Sequence, residues 1–224
     1  MSRFRAVLFD LDGTLLDTIE DIADAMNAVL RRAGFPGHAP DAYRRLVGDG
    51  LEHLVLRAVP PGHRDAETVA RCMEGMRREY AAGGYAKTKP YPGVPGLLDA
   101  LSARGCRLAI LTNKPHDSAR EHVSATLGKW RFDLVAGARP GVPLKPDPAA
   151  AIEISAALGI PPDRFVFLGD SGIDMDTARL AGMHPAGAVW GFRGREELVL
   201  HGAVSLLEKP ADLLALFRRG ADAR

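Results

Sequence analysis

The sequence predicts an α/β fold: a doubly wound parallel sheet with a helical unit inserted after its first strand. Two observations support this prediction. Short apolar runs of strand length, followed by polar residues, alternate along most of the chain with stretches of helical patterning. Between about Thr18 and Tyr85, by contrast, the patterning is helical and we find no good strand.

The predicted strands are apolar along most of their length, which suits strands that are covered on both faces in a parallel sheet. The first is Phe4–Phe9, and Leu108–Leu111 and Phe165–Leu168 have the same character. The segments FDLVAGA (132–138) and AGAVWGF (186–192) are two further candidates. Helical patterns lie between these strands, at roughly 116–127, 148–158, 174–182 and 210–218.

The inserted unit is predicted to contain three helices, at Asp17–Arg32, 41–59 and 64–81. The glycines and prolines of residues 83–94 are typical of a connection back to the sheet. We therefore expect residues 17–85 to form the insert, and residues 1–16 and 86–224 to form the main domain. The first helix has an apolar stripe on one face, formed by Ile22, Met26, Val29 and Leu30.

Composition excludes several classes of function. The 224 residues fit one large domain or a core with an insert, and a net charge of +1 gives no support for a nucleic-acid or membrane partner. No apolar run is long enough to cross a membrane, and acids interrupt the one near the N-terminus too early for a secretory signal. We expect a cytoplasmic monomer or homodimer with Cys72 and Cys106 reduced.

Polar residues follow three of the predicted strands. Because ligands bind at the carboxyl ends of the strands in open parallel sheets, we expect these residues to gather at one edge. Lys145 would join them from just before a predicted helix. They are Asp10 and Asp12 after the first strand, Thr112 and Asn113 after the second, and Gly169 and Asp170 after a third.

Asp10 and Asp12 are expected to crowd each other. They lie two residues apart, so an extended segment places both side chains on one side, where two carboxylates repel. Asp170 and Asp174 add further negative charge. Magnesium resolves such a conflict, because it binds a few carboxylates together with waters and phosphate oxygens. With Lys145 as a second positive charge, the residues predict a site for a phosphate dianion.

A family resemblance supports the predicted phosphate site. The motifs DLDGT (10–14), TN (112–113), KPDP (145–148) and GDSGID (169–174) resemble, in order and spacing, the four motifs of the haloacid dehalogenase-like hydrolases. The resemblance covers nearly the whole chain. It implies a Rossmann-like core with a helical cap, Mg²⁺ as cofactor, and hydrolysis of a small phosphate ester.

The resemblance also implies roles. Asp10 would attack phosphorus to give an aspartyl phosphate, and Asp12 would be the general acid for the leaving oxygen and then the base for the hydrolytic water. The dehalogenases lack this second acid, so its presence favours phosphate chemistry. Magnesium would bind Asp10, the backbone carbonyl of Asp12 and Asp170, with Asp174 as a ligand or a support. The phosphoryl group would be held by Thr112, Asn113 and Lys145.

Two segments resemble phosphoglycolate phosphatases more loosely: LVGDGLEHLVLRAV (46–59) and VWGFRGREEL (189–198). This makes phosphoglycolate the first substrate to consider. In that family the cap closes over the site and helps to select the substrate.

The same resemblance implies a role for residues of the insert. Gly48 and Gly50 would form the cap loop that faces the site. Arg44, Arg45 or Arg57 would meet a substrate carboxylate, and the sequence does not choose between them.

Other interpretations stay open at this stage. A pyrophosphatase, or a phosphatase for sugar or nucleotide phosphates, fits the same core motifs, and so does a phosphomutase. A non-enzymatic phospho-acceptor domain fits less well, because such domains are far shorter and lack the helical insert. Thr112 could cap a helix, and Asp174 could serve a helix N-terminus. The seven histidines show no metal-ligand spacing, so we expect them to be structural or at the surface.

Overall fold

Six parallel strands form the central sheet of the computed structural model, which describes residues 3–82 and 85–217. Their order across the sheet is β5-β4-β1-β6-β7-β8, so the chain adds strands on both sides of β1. This is the predicted doubly wound sheet. The strands are β1 (Ala6–Phe9), β4 (Arg107–Pro115), β5 (Leu134–Ala138), β6 (Phe165–Gly169), β7 (His184–Ala188) and β8 (Ser205–Leu207), and a two-stranded ribbon adds β2 (Leu16–Asp17) and β3 (Lys89–Pro90).

Nine α-helices surround the sheet or form the insert within the described part of the chain. They are α1 (Ile19–Arg32), α2 (Tyr43–Leu46), α3 (Leu51–Ala58), α4 (Ala66–Ala81), α5 (Val94–Ala103), α6 (His116–Leu127), α7 (Ala149–Leu158), α8 (Gly172–Leu180) and α9 (Arg195–Leu200).

The two faces of the sheet explain why the central strands have apolar runs without alternation. In β1, Val7 and Phe9 pack into one hydrophobic cluster, while Ala6 and Leu8 pack into a second on the opposite face. Successive side chains of a strand point to opposite faces, so a strand between two helical layers is apolar at every position. β4 and β6 divide their side chains in the same way.

Helices α1 to α4 pack around a third cluster of their own. The predicted stripe of α1 is confirmed, because Ile22, Met26, Val29 and Leu30 are all buried there. The prediction of one helix over residues 41–59 is wrong: a loop at Val47–Gly50 separates α2 from α3. Both glycines of this loop have positive φ, +126° at Gly48 and +91° at Gly50, a conformation that a helix cannot accommodate.

A short antiparallel ribbon connects this helical unit with the sheet. Leu16 and Asp17 of β2 pair with Pro90 and Lys89 of β3, where the prediction had only a connection. Asp21 in the first turn of α1 accepts a hydrogen bond from the Thr88 hydroxyl at 2.6 Å, which ties the start of the unit to its return.

Several elements outside the insert differ from prediction. Helix α5 was not predicted. Its first residues are Val-Pro-Gly, and this Pro-Gly pair resembles a turn, although Pro is well tolerated in the first turn of a helix. Strand β8 and helix α9 were also missed. Helix α8 begins at Gly172, not at 174, and residues 210–217 form a 3₁₀-helix, with 218 outside the described residues. Among the helices of residues 3–82 and 85–217, none combines the length and the apolar character of a membrane-spanning segment.

Candidate active site

The carboxyl ends of β1, β4 and β6 meet the helical insert at a cleft. Its empty space, including the part open to solvent, is about 640 Å³. The floor comes from the sheet edge and the roof from α3 and the Val47–Gly50 loop, so both parts of the chain contribute. Its lining includes Asp10, Asp12, Thr112, Asn113, Lys145 and Asp170 below, and Gly48, Gly50, Leu51 and Leu54 above.

Asp10, directly after β1, is buried beside Lys145. The Nζ atom of Lys145 lies 2.8 Å from Oδ1 of Asp10 and 2.7 Å from Oδ1 of Asp174. Burial and the Asp174 carboxylate raise the pKa of Asp10 well above its usual range, although Lys145 opposes them. Burial alone would lower the pKa of Lys145, but its two carboxylate partners raise it. The lysine is therefore a fixed cation between two acids.

Three buried carboxylates crowd this lysine. Oxygen atoms of Asp10, Asp170 and Asp174 lie within 4.8 Å of one another. Burial and Asp174 also raise the pKa of Asp170, to about 7, although the Thr14 hydroxyl donates to it at 2.9 Å. One lysine cannot balance three buried negative charges, so the group is short of positive charge. A hard divalent cation with oxygen ligands fits this donor set.

Asp174 is the most constrained of the three. Its Oδ2 accepts hydrogen bonds from the backbone N–H and the hydroxyl of Ser171, at 3.1 and 2.6 Å, in a capping box at the start of α8. Its Oδ1 accepts from Lys145. These contacts favour a supporting role for Asp174, in which it holds Lys145 in place, over direct metal ligation.

Asp12 is paired separately, with Lys114. The Nζ atom of this lysine lies 3.3 Å from both carboxylate oxygens and 4.7 Å from the centre of the Tyr80 ring. Although burial would raise the pKa of Asp12, Lys114 lowers it overall. The expected crowding of Asp10 by Asp12 is wrong, because β1 ends at Phe9 and Asp12 lies beyond it, in an isolated β-bridge with Leu16. Asp10 meets Asp170 and Asp174 instead, and the Asp12 carboxylate is outside the cluster.

Thr112 and Asn113 both lie inside β4, which continues to Pro115, so Thr112 does not cap α6. The Asn113 amide donates to the backbone O of Lys145 at 3.0 Å and accepts from its N–H at 2.9 Å. It also donates to the backbone O of Gly48 at 3.0 Å. This geometry favours a positioning role for Asn113 over the expected phosphate contact.

Comparison with known proteins agrees with this architecture. The family model described as haloacid dehalogenase-like hydrolase matches residues 4–182. A protein of Aquifex aeolicus named phosphoglycolate phosphatase is 30% identical over 95% of this chain and 96% of its own length. One of the same name from Rhodospirillum rubrum is 34% identical over 93% of this chain and 89% of its own.

Solved structures give the same result. A haloacid dehalogenase-like family protein of Streptococcus pneumoniae superposes with a TM-score of 0.87 at 25% identity, over 97% of this chain and 100% of that one. CbbY of Rhodobacter sphaeroides, solved in complex with phosphate, superposes with a TM-score of 0.79 at 26% identity, over 96% and 99% of the two chains.

The chain belongs to the haloacid dehalogenase-like hydrolases.

Within this hydrolase, the residues of the insert that were predicted to meet the substrate divide into two groups. Gly48 and Gly50 line the cleft, as expected. Neither Arg44 nor Arg45 does: Arg44 pairs with Asp41 at 3.1 Å, and Arg45 is exposed. Arg57 pairs with Asp49 on the exposed side of the loop.

The sequence reasoning missed four residues of this site. Thr14 and Ser171 lie inside the quoted motifs, and Lys114 directly follows TN, so adjacency to a motif was the available signal. Arg193 lies in the quoted VWGFRGREEL segment and lines the cleft. Lysine and arginine are usually solvated, and only the fold shows that Lys114 is buried.

Proposed function

We propose that this hydrolase is a magnesium-dependent phosphatase that hydrolyses a small phosphate ester through an aspartyl phosphate on Asp10. One observation supports it above the others: a buried aspartate and a partly buried one line one cleft, each beside its own lysine. Asp10 lies in the carboxylate cluster and Asp12 lies outside it. A nucleophile and a separate acid–base group are the two carboxyl groups that this chemistry needs.

Each residue of the site has its own role in this proposal. Asp10 attacks phosphorus, while Lys145 and the Thr112 hydroxyl neutralise and hold the phosphoryl oxygens. Asp12 protonates the leaving oxygen and then accepts a proton from the hydrolytic water. Its ion pair with Lys114 favours the carboxylate form that the second step requires.

Magnesium would be held by Asp10, Asp170 and the backbone carbonyl of Asp12, with Asp174 fixing Lys145. When bound, the ion supplies the positive charge that the buried carboxylates lack and neutralises charge on the phosphoryl group. Thr14 and the backbone N–H of Phe192 orient Asp170, at 2.9 and 2.7 Å.

We assign residues 17–85 as a cap over a catalytic core of residues 1–16 and 86–224. The separate hydrophobic cluster of α1 to α4 supports this division, as does the ribbon that joins the two parts. The Val47–Gly50 loop of the cap lines the cleft, which supports a role for this loop in contacting bound substrate.

Phosphoglycolate is the substrate we propose to test first, because relatives of up to 35% identity bear the name phosphoglycolate phosphatase. A small substrate suits a cleft roofed by Leu51 and Leu54. We also propose a cytoplasmic location, which the two free cysteines support.

The test is phosphate release from a panel of phosphorylated metabolites with magnesium, for the wild type and Asp10→Asn in parallel. The panel contains phosphoglycolate, pyrophosphate, sugar phosphates and nucleotides. We expect release from phosphoglycolate that disappears in the variant, whose amide is nearly the same shape but a poor nucleophile. Equal release by both proteins would refute the assignment of Asp10. Glucose-phosphate interconversion without free phosphate would instead indicate a mutase.

A further inference from the structure

Three cationic side chains among the described residues line the cleft: Lys145, Lys114 and Arg193. The two lysines are paired with the aspartates of the proposed chemistry, Lys145 with Asp10 and Lys114 with Asp12. The proposed mechanism gives Arg193 no role, although it shares the same cleft.

Arg193 is held in a fixed position relative to the proposed metal site. It lies between β7 and α9, in a segment that packs directly on the site. Phe192, the preceding residue, donates its backbone N–H to Oδ2 of Asp170 at 2.7 Å. At Gly191, a Cβ atom would lie only 2.2 Å from Cβ of Asp170, so the backbone there contacts the carboxylate residue closely.

The guanidinium of Arg193 is incompletely bonded. Its Nη2 donates to the backbone O of Val47 at 2.8 Å, and its Nε lies 3.4 Å from Oε1 of Glu197. Its Nη1 is buried and has no hydrogen-bond partner among the described residues. A buried charged donor without a partner is unfavourable, so this nitrogen is a place where a ligand can supply the missing acceptor.

We propose that Arg193 is a specificity-determining residue: it binds the carboxylate at the end of the substrate that is remote from the transferred phosphate. This inference rests on the proposed phosphatase function. Nη1 carries two N–H groups and Nη2 has one besides that bonded to Val47, and together they match the two oxygens of a carboxylate. The substrate class is therefore a short phosphate ester of a hydroxy acid.

The three arginines of α2 and α3 that the sequence suggested are less suited to this task. Arg44 is paired with Asp41, Arg57 is paired with Asp49, and Arg45 is exposed. None of the three lines the cleft. Because Arg193 also contacts Val47 of the cap, a substrate held by it would touch both walls of the cleft.

The test compares phosphoglycolate with ethyl phosphate, which has the same two-carbon chain but a methyl group in place of the carboxylate. The measured quantity is the ratio of kcat/KM for the two esters, with magnesium, in the wild type, Arg193→Gln and Arg193→Lys. Arg195→Gln is the matched control: the same substitution two residues away, at a side chain that is 49% exposed and paired with Glu208. We expect Arg193→Gln to lower the ratio by roughly 30- to 100-fold. Arg193→Lys should fall between it and the wild type, and the control should keep the wild-type ratio.

Other results overturn the proposal. If Arg193→Gln lowers kcat/KM equally for both esters, the residue only holds the cap loop; if it lowers neither, the residue is not in contact with substrate. If the wild type has the same kcat/KM for ethyl phosphate and for phosphoglycolate, the role of Arg193 is refuted and the phosphatase function stands. A wild type that releases phosphate from no ester refutes both. Should Arg193→Gln not fold, the ratio in Arg193→Lys decides.

Discussion

Replacing Lys114 by Met should destabilise the protein through Asp12. The Lys114 side chain is 3% exposed and that of Asp12 is 11% exposed, and the charged atoms are 3.3 Å apart. At that separation and an effective dielectric constant of about 20, the Coulomb attraction is ~5 kcal/mol, which the cost of burying both charges partly offsets. Removal of the lysine alone leaves a buried carboxylate with no counter-charge, so we expect a loss of ~3 kcal/mol.

A double-mutant cycle isolates this interaction. Urea unfolding of the wild type, Lys114→Met, Asp12→Asn and the double variant, in EDTA so that no divalent cation contributes, gives the four free energies. We expect the double variant to lose ~2 kcal/mol less than the sum of the single losses. The exposed pair Arg77–Glu74, with a similar separation of 3.4 Å, is the control and should show a coupling of at most ~0.5 kcal/mol.

The result that would refute this reasoning is additivity. If the losses at Lys114 and Asp12 sum to within ~0.5 kcal/mol, the lysine is not the counter-charge of Asp12.

Three further predictions concern the metal, the packing and the pH dependence. Asp170→Asn should weaken Mg²⁺ binding by at least ~10-fold, measured by titration calorimetry, because it removes one of the crowded carboxylates; unchanged affinity would contradict this. Gly191→Ala should lower the free energy of unfolding by ~2–3 kcal/mol, because the added Cβ would lie 2.2 Å from Cβ of Asp170 and 2.5 Å from the backbone O of Gly13. Gly96→Ala is the control: its added Cβ would have no heavy atom within 4 Å, so it should not destabilise the protein. Burial lowers the pKa of His122 from 6.5 to about 4. Between pH 6.5 and pH 4 the unfolded chain therefore takes up a proton that the folded chain does not, so the free energy of unfolding falls as the pH falls. From pH 7 to 5 the wild type should lose ~2 kcal/mol more than His122→Phe in urea unfolding; parallel losses would contradict the prediction.

The central strands could be predicted because each is apolar on both faces. Phe9, for example, packs on one helical layer and Leu8 on the other. The 41–59 region could not be predicted as well, because its helical pattern continues through Gly48 and Gly50 and conceals the turn. Helix α5 was missed for the opposite reason, since its Pro and Gly resemble a loop.

The candidate site was predicted where residues follow the ends of strands. Asp10, Asp170 and Lys145 meet in the cleft as expected. The partner of Asp12 was not predictable, since Lys114 is 102 residues away and nothing local marks it as buried. The same holds for Arg193, which becomes a candidate only when the fold brings it to the cleft and leaves its Nη1 without a partner among the described residues.

The central claim, that Asp10 is the nucleophile, is tested most directly by trapping its phosphorylated form. Asp12→Asn should accept phosphate from p-nitrophenyl phosphate, whose leaving group needs no proton, but should hydrolyse the intermediate slowly for lack of a base. After acid quench and borohydride reduction, peptide mapping should find the modification at residue 10. Phosphate on another residue, or on none while the wild type turns over, would contradict the claim.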